Sequence, residues 1–444
     1  MRTVLAFLAM ALAMAPPGVA QGQVAALTPA APMTLAQLEQ LALENNPTAR
    51  AAQSSVDAAR GRARQAGAWP NPILGYAAEE ITPGRSVDPR GSHGLFVEQL
   101  IPLGGKLRLS RAVFERSIDE AEARNALQRQ RILSSVRTIF YQVLTAERRI
   151  EVHQQLTVLG NEATTVTAQL FNVGAADRPD FLESEIERRR VQLELNAARN
   201  QVFALRQHLA AVTGAPDVAA QPLAGSIDQA VPELERDATL QALIERSPQV
   251  RAARAAIART QAQTALARRQ TYPDLFLRGG AAYSREHGET TGQPIGWEGQ
   301  FEGGVSIPLF NRNQGGIAAA RAEETRAQAE LARLELSLRA NAATEFAEYL
   351  TALRSAESFR NEILPRAERS YTLYVVRYRE MAAAYPQVLV AQRTLFDMAR
   401  EYLVHLETAW RSALRLQGLL AGEGLEPPDS GADVGGEITS GQRD

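Results

Sequence analysis

The chain has 444 residues, 48 of them Lys or Arg and 50 Asp or Glu, for a formal net charge of −2. That balance offers no global basic field for nucleic acid, and the length suffices for a large core or more than one domain. Cysteine is absent, which excludes disulfides and thiolate metal sites and leaves no residue for a lipid anchor on an N-terminal cysteine.

In chain order, residues 1–20 read as a signal peptide. Arg2 is its charged start, Val4 to Ala15 its apolar stretch, and Gly18-Val19-Ala20 a small-residue cleavage site. The apolar run is too short to span a bilayer, and no later segment is apolar for long enough to form a membrane helix. Thr34-Leu35-Ala36-Gln37 has the form of a capping box at the first helix start. The small-residue stripe Ala49, Ala52, Val56, Ala59, Ala63 and Ala66 predicts a helix that a neighbour can approach closely. Pro72 to Ile81 and Gly94 to Ile101 then read as strands, joined by a loop through Pro83, Gly84, Asp88 and Gly91.

From Lys106 to Val173 there is no proline and one glycine, Gly160, which predicts a helix of about 100 Å if continuous. Ile132, Val136, Ile139, Val143, Ala146 and Ile150 alternate spacings of three and four, a coiled-coil seam. After a reversal at Gly174 to Pro179, Leu195, Ala198, Val202, Leu205, Leu209 and Val212 resume the rhythm. Residues 215–238 read as a linker.

The chain then repeats itself. Asn46-Pro47 is answered by Ser247-Pro248, Trp69-Pro70-Asn71 by Tyr272-Pro273-Asp274, and Ile101-Pro102-Leu103 by Ile307-Pro308-Leu309. Asp177-Arg178-Pro179 is answered by Ala384-Tyr385-Pro386. The second repeat has its own predicted strands, Asp274 to Ser284 and Trp297 to Ile307. In the latter, Trp297, Phe301, Val305 and Ile307 share one face and Glu298, Gln300 and Glu302 the other. Ten residues with one apolar face suit a transmembrane strand. Four strands close no barrel alone, so a membrane reading requires several chains to share one; a small soluble sheet capping a coiled coil is the other reading. The second long helix, Ile317 to Ala384, contains Pro365, which should kink or interrupt it, at nearly the height of Gly160; a break in both copies and local tolerance of the glycine are the two readings. The expected domains are a first repeat over 21–214, a linker over 215–238, a second repeat over 239–422 and a disordered tail over 423–444.

Catalytic chemistry is missing. The five histidines stand apart: His93 and His287 fall in predicted hairpin loops, and none has a partner at metal-ligand spacing. There is no nucleophile elbow, no phosphate loop and no acid–base pair. The chain is expected to be no enzyme, with no cofactor and no metal site.

The duplicated plan, Trp69-Pro70-Asn71-Pro72, Ile101-Pro102-Leu103-Gly104-Gly105-Lys106 and the reversal Gly174…Pro179-Asp180-Phe181-Leu182 together resemble the TolC-like outer-membrane efflux proteins. The Leu-Gly-Gly-Lys stretch is most similar to their heavy-metal branch, the partners of cation-exporting RND pumps. The resemblance implies a mainly α fold with a small antiparallel β part. It implies a homotrimer whose hairpins form one twelve-stranded barrel in outer-membrane lipid and whose helices form a periplasmic α-barrel. It implies an exit duct that works with a periplasmic adaptor, a membrane fusion protein, and an inner-membrane RND pump. The gate and adaptor contacts would lie at the tips, with candidates Gly174, Asp177, Asp180 and Glu183 in the first repeat and Met381, Pro386 and Gln387 in the second. Relatives ring the mouth with second-repeat aspartates, where this chain has Gln387 and Val390, so any acidic ring would come from Asp177, Asp180 and Glu183. Asp180 reads first as a helix cap, a role that can coexist with a place in such a ring. A channel for drugs or for type I secretion, and a coiled-coil scaffold without a channel, remain the alternatives.

Overall fold

The computed structural model describes residues 31–79, 91–287, 293–418, 422 and 424–428. The signal-peptide stretch, the loop residues Pro83, Gly84, Asp88, Gly288 and Gly292, and most of the C-terminal tail lie outside the described residues.

The first repeat contains α1 (Leu35–Asn45), α2 (Pro47–Ala66), β1 (Ile73–Glu79), β2 (Ser92–Pro102), α3 (Lys106–Asn172) and α4 (Arg178–Thr213). The second contains α5 (Arg236–Arg246), α6 (Pro248–Arg269), β3 (Asp274–His287), β4 (Pro294–Val305), α7 (Gln314–Ser358), α8 (Leu364–Arg379) and α9 (Tyr385–Gln417). The result is mainly α with a small antiparallel β part.

Local chemistry explains the starts. The Thr34 hydroxyl accepts from Gln37 N–H while the Gln37 side chain accepts from Thr34 N–H at 2.9 Å, the expected capping box. Buried Asn46 closes α1 and opens α2. It accepts from Thr48 N–H and donates to the Val212 carbonyl, both at 2.8 Å. Ser247 plays the same part between α5 and α6. Ala49, Ala52, Val56, Ala59 and Ala63 are all buried, the close-packing stripe of α2.

The four strands form one antiparallel sheet in the order β1-β2-β3-β4, and the β2–β3 pairing joins the two repeats. Strand alternation separates two faces. Leu74, Leu95, Val97, Trp297 and Phe301 lie on one; Phe301 is 79% and Trp297 76% exposed. Glu98, Arg278 and Glu302 lie in one cross-strand row on the other, with the Arg278 guanidinium 3.7 Å above the Phe96 ring. Such an apolar face is not what a soluble cap exposes. His93 and His287 belong to β2 and β3 rather than to loops as expected, because the pairing runs further toward both hairpin ends than the sequence suggests.

The joint under the sheet is polar. Asp274, at the entry to β3, takes Lys106 Nζ at 2.8 Å and Leu103 N–H at 3.2 Å. The Leu-Gly-Gly-Lys turn of one repeat is thereby fixed to the strand entry of the other.

Three places differ from the plainest reading of the sequence. Gly160 does not break its helix: α3 runs unbroken from Lys106 to Asn172. Only the second repeat is interrupted, by a wide π-type turn at Phe359–Ile363 just before Pro365. The linker is no loose tether. Ile227 and Val231 are buried in the core, Trp410 Nε1 donates to the Ile227 carbonyl at 3.2 Å, and Tyr349 Oη donates to the Pro232 carbonyl at 2.8 Å. The start of the predicted tail also packs, since Gly424 N–H donates to Ser135 Oγ at 2.7 Å.

The apolar core comes in two pieces. One surrounds Ile132 to Leu144 of α3 and includes the linker, Leu338 to Ala356 of α7 and Leu406 to Leu416 of α9. The other lies toward the tips, around Leu156, Val191, Tyr371, Tyr385 and Phe396. Among the described residues, no helix is long and apolar enough to cross a membrane.

Candidate gate at the helix tips

The two tips are built by the same local chemistry. α3 ends with Gly174 N–H on the Phe171 carbonyl and Ala175 N–H on the Leu170 carbonyl, at 3.0 and 2.8 Å. α8 ends with Met381 N–H on Tyr378 and Ala382 N–H on Arg377, at 3.0 and 2.7 Å. Both are left-handed helix stops, with φ of 77° at Gly174 and 56° at Met381. The return helices then start alike, on extended Asp177 and Ala384, with Pro179 and Pro386 in the first turn.

This equivalence sets Asp180 opposite Gln387 and Glu183 opposite Val390 in the two copies. The expected acids therefore gather at the start of α4, Asp177 at its N-cap and Asp180 and Glu183 in its first two turns, whereas Met381, Pro386 and Gln387 of the second tip are uncharged. Asp177 and Glu183 are exposed and Asp180 is half-buried. The N-cap residue is Asp177, not Asp180, and its side chain makes no cap bond. Burial, then the charges of Asp177 and Glu183, raise the Asp180 carboxyl above its ordinary value.

No motif or spacing announces the joint between the tips. Tyr378 and Tyr385 pack ring to ring at 5.7 Å, and Tyr385 is 1% exposed. Their hydroxyls sit beside Thr167 and Ser184 of the first hairpin without closing well-shaped hydrogen bonds. Burial raises both phenols.

Above them an ionic seam ties α4 to α9. Glu187 takes Arg393 at 2.5 Å, and Glu194 takes Arg400 at 3.1 Å. His153 of α3 is buried beside Glu194, its Nδ1 3.7 Å away. Desolvation holds the ring below its usual value against the pull of Glu194. The seven-residue spacings 187/194 and 393/400 are the signal that could have exposed this seam. Among the described residues, no group of three His, Asp or Glu side chains is placed to hold a metal ion.

A membrane-facing four-stranded sheet carried on two long helical hairpins, written in duplicate, defines a channel protein of the outer membrane. The sequence profile of the outer membrane efflux protein family matches residues 38–215 and again 239–422, and the chain belongs to that family. It is an outer-membrane efflux channel and not an enzyme, with its helices extending into the periplasm. The cobalt-zinc-cadmium resistance protein CzcC of Cupriavidus metallidurans is 28% identical over 394 residues, 88% of this chain and 90% of that one. The nickel-cobalt-cadmium resistance protein NccC of Alcaligenes xylosoxydans xylosoxydans is 28% identical over 310 residues, 69% of this chain and 67% of its own. Among solved structures, CusC superposes with a TM-score of 0.75 at 16% identity, covering 87% of this chain and 92% of CusC.

Proposed function

We propose that this chain is one subunit of a homotrimeric exit duct that passes heavy-metal cations, coupled through a periplasmic adaptor to an inner-membrane RND pump. The observation that carries the duct is the sheet. Its two edges, β1 and β4, have no partner among the described residues, and one face is apolar. An unpaired edge in lipid is unaffordable, so neighbouring subunits must supply the missing strands. Three chains of four strands reach a barrel size seen in outer membranes. The names of CzcC and NccC support metal cations as cargo. So does the acid turn Asp177, Asp180 and Glu183, which in three copies would gather negative charge at the mouth. Gating follows from adaptor binding to the tips, with tighter binding to the open arrangement providing the bias.

Deletion of the gene, followed by a sensitivity screen, tests the cargo. Sensitisation to cobalt, zinc, cadmium or nickel is expected; sensitisation to organic compounds alone would overturn the metal reading. Purified protein in a planar bilayer tests the duct, because a soluble monomer without conductance would sink it.

A further inference from the structure

Away from the tips and the sheet, a cavity of about 580 Å³ opens between α3, the last turns of α4 and α9, and the chain around Gly424. Its volume falls in the range of small-molecule sites. Its wall is built rather than incidental. The Gly424 carbonyl accepts from Thr48 Oγ1 at 3.0 Å and from Gln128 Nε2 at 3.3 Å, while its N–H donates to Ser135. A Cβ on Gly424 would stand 2.9 Å from Ile132 Cα, so only glycine lets this strap lie flat on α3.

Among the described residues the charged side chains of the lining are Arg411 and Arg415, with the Glu426 carboxylate standing behind Gly422. Arg411, Arg415 and His208 face Ser134, Thr138 and Gln142, and no carboxylate lines the cavity among the described residues. Arg415 gives one nitrogen to Glu345 at 2.9 Å. Arg411 is half-buried and, among the described residues, makes no ion pair or hydrogen bond. Its nitrogens reach solvent, so the guanidinium is open to a solute, and its planar fork matches an oxyanion.

We infer that this cavity is an oxyanion site, taking a carboxylate or phosphate group in the fork of Arg411, with the free nitrogens of Arg415 and the hydroxyls of Ser134 and Thr138 as further donors. The site would face periplasmic solutes, independent of whatever passes through the duct. Two sources share this chemistry, a free phosphate and the terminal carboxylate of a cell-wall peptide.

Titration calorimetry on the detergent-solubilised full chain at low ionic strength tests it. Separate arms use sodium phosphate and acetyl-D-alanyl-D-alanine. Saturable binding in at least one arm is expected, and the tighter arm names the source. Arg411→Gln should weaken that binding by about ten-fold or more, the loss of a two-pronged charged contact. Thr138→Val keeps the wall's shape and should weaken it about three-fold or more, the loss of one hydrogen bond. If neither anion binds saturably, or if both variants bind as the parent does, the site does not exist.

Discussion

Met381 sits in a backbone conformation that suits glycine, and its side chain is 71% exposed. The equivalent residue in the first tip is Gly174. Left-handed φ costs a residue with a Cβ about 1–2 kcal/mol, partly offset by glycine's greater freedom when unfolded. Met381→Gly is therefore expected to stabilise the second tip by roughly 0.5–1 kcal/mol. Slower hydrogen exchange across residues 377–385 would show it; faster exchange would mean that the methionine side chain holds the tip by contact. The acids of the first tip make a second expectation. Replacing Asp177, Asp180 and Glu183 together by alanine should weaken divalent-cation block of conductance, and unchanged block would leave them as caps and surface charges. Because Asp180 titrates above the ordinary carboxylate value, block should begin to fade at a higher pH than an isolated aspartate would give. The same shift means that the charged form costs stability at neutral pH, a cost that vanishes as pH falls through the folded value. These residues were legible in sequence because helix ends obey local rules: an acid and a proline after a glycine stop. Tyr378 and Tyr385 were not, since their pairing depends on how two hairpins pack together about 100 Å from the sheet, the length of helices of this size.

At the scale of elements, the two long helices differ in a way that spacing alone misjudged. Gly160 lies inside α3 without breaking it, because a glycine keeps its backbone N–H and weakens a helix without interrupting the ladder. A Cβ there would come 3.8 Å from Gln392, ordinary contact, so the position is also not sterically forced. Pro365 removes a donor, and the chain answers with the π-type turn at Phe359–Ile363, where Phe359 stacks on His405 at 5.4 Å. That turn falls at the gap between the two core pieces. The gap is filled by charge: Arg149 reaches Glu407 at 3.2 Å, and Arg400 reaches Glu194. His153 is buried there, facing Glu194, Arg149 and Arg400. Its folded value is lowered, so the unfolded chain binds the proton more readily. Stability contributed by the neutral ring is complete above about pH 6.5 and declines as pH falls from there toward the folded value. His153→Gln should flatten the midpoint-against-pH curve between about pH 6.5 and 5, and a curve as steep as the parent's would assign the acid sensitivity to other groups. Periodicity exposed the helices and strands themselves, because each faces a core or lipid along a regular stripe. It could not show the linker folding into the core, because Ile227 and Val231 sit among residues with no period at all.

At the scale of the whole molecule, what is left uncovered is the informative part. Leu182, Ile186, Leu193 and Phe203 run along one side of α4, and Leu193 is 69% exposed. Leu373 and Val376 of α8 and Val390 of α9 are exposed as well. A soluble monomer does not spread large aliphatic side chains along a helix in this way. Nor does a membrane sheet leave both edges bare. Both gaps are filled if α4 of one subunit packs on the second hairpin of the next while β1 pairs with a neighbouring β4. The two interfaces can be separated by experiment. Leu193→Asp puts a charge on the α4 stripe far from the sheet, at a position that costs the isolated subunit little because it is already exposed. In an assembled trimer the same carboxylate would lie between helices, where an unpaired charge costs several kcal/mol at about the level of a lost hot spot. The variant should keep its helical circular dichroism yet lose the trimeric mass in detergent, and with it conductance. Parent-like mass and conductance would show that the stripe faces solvent, leaving the strands alone to hold the subunits together.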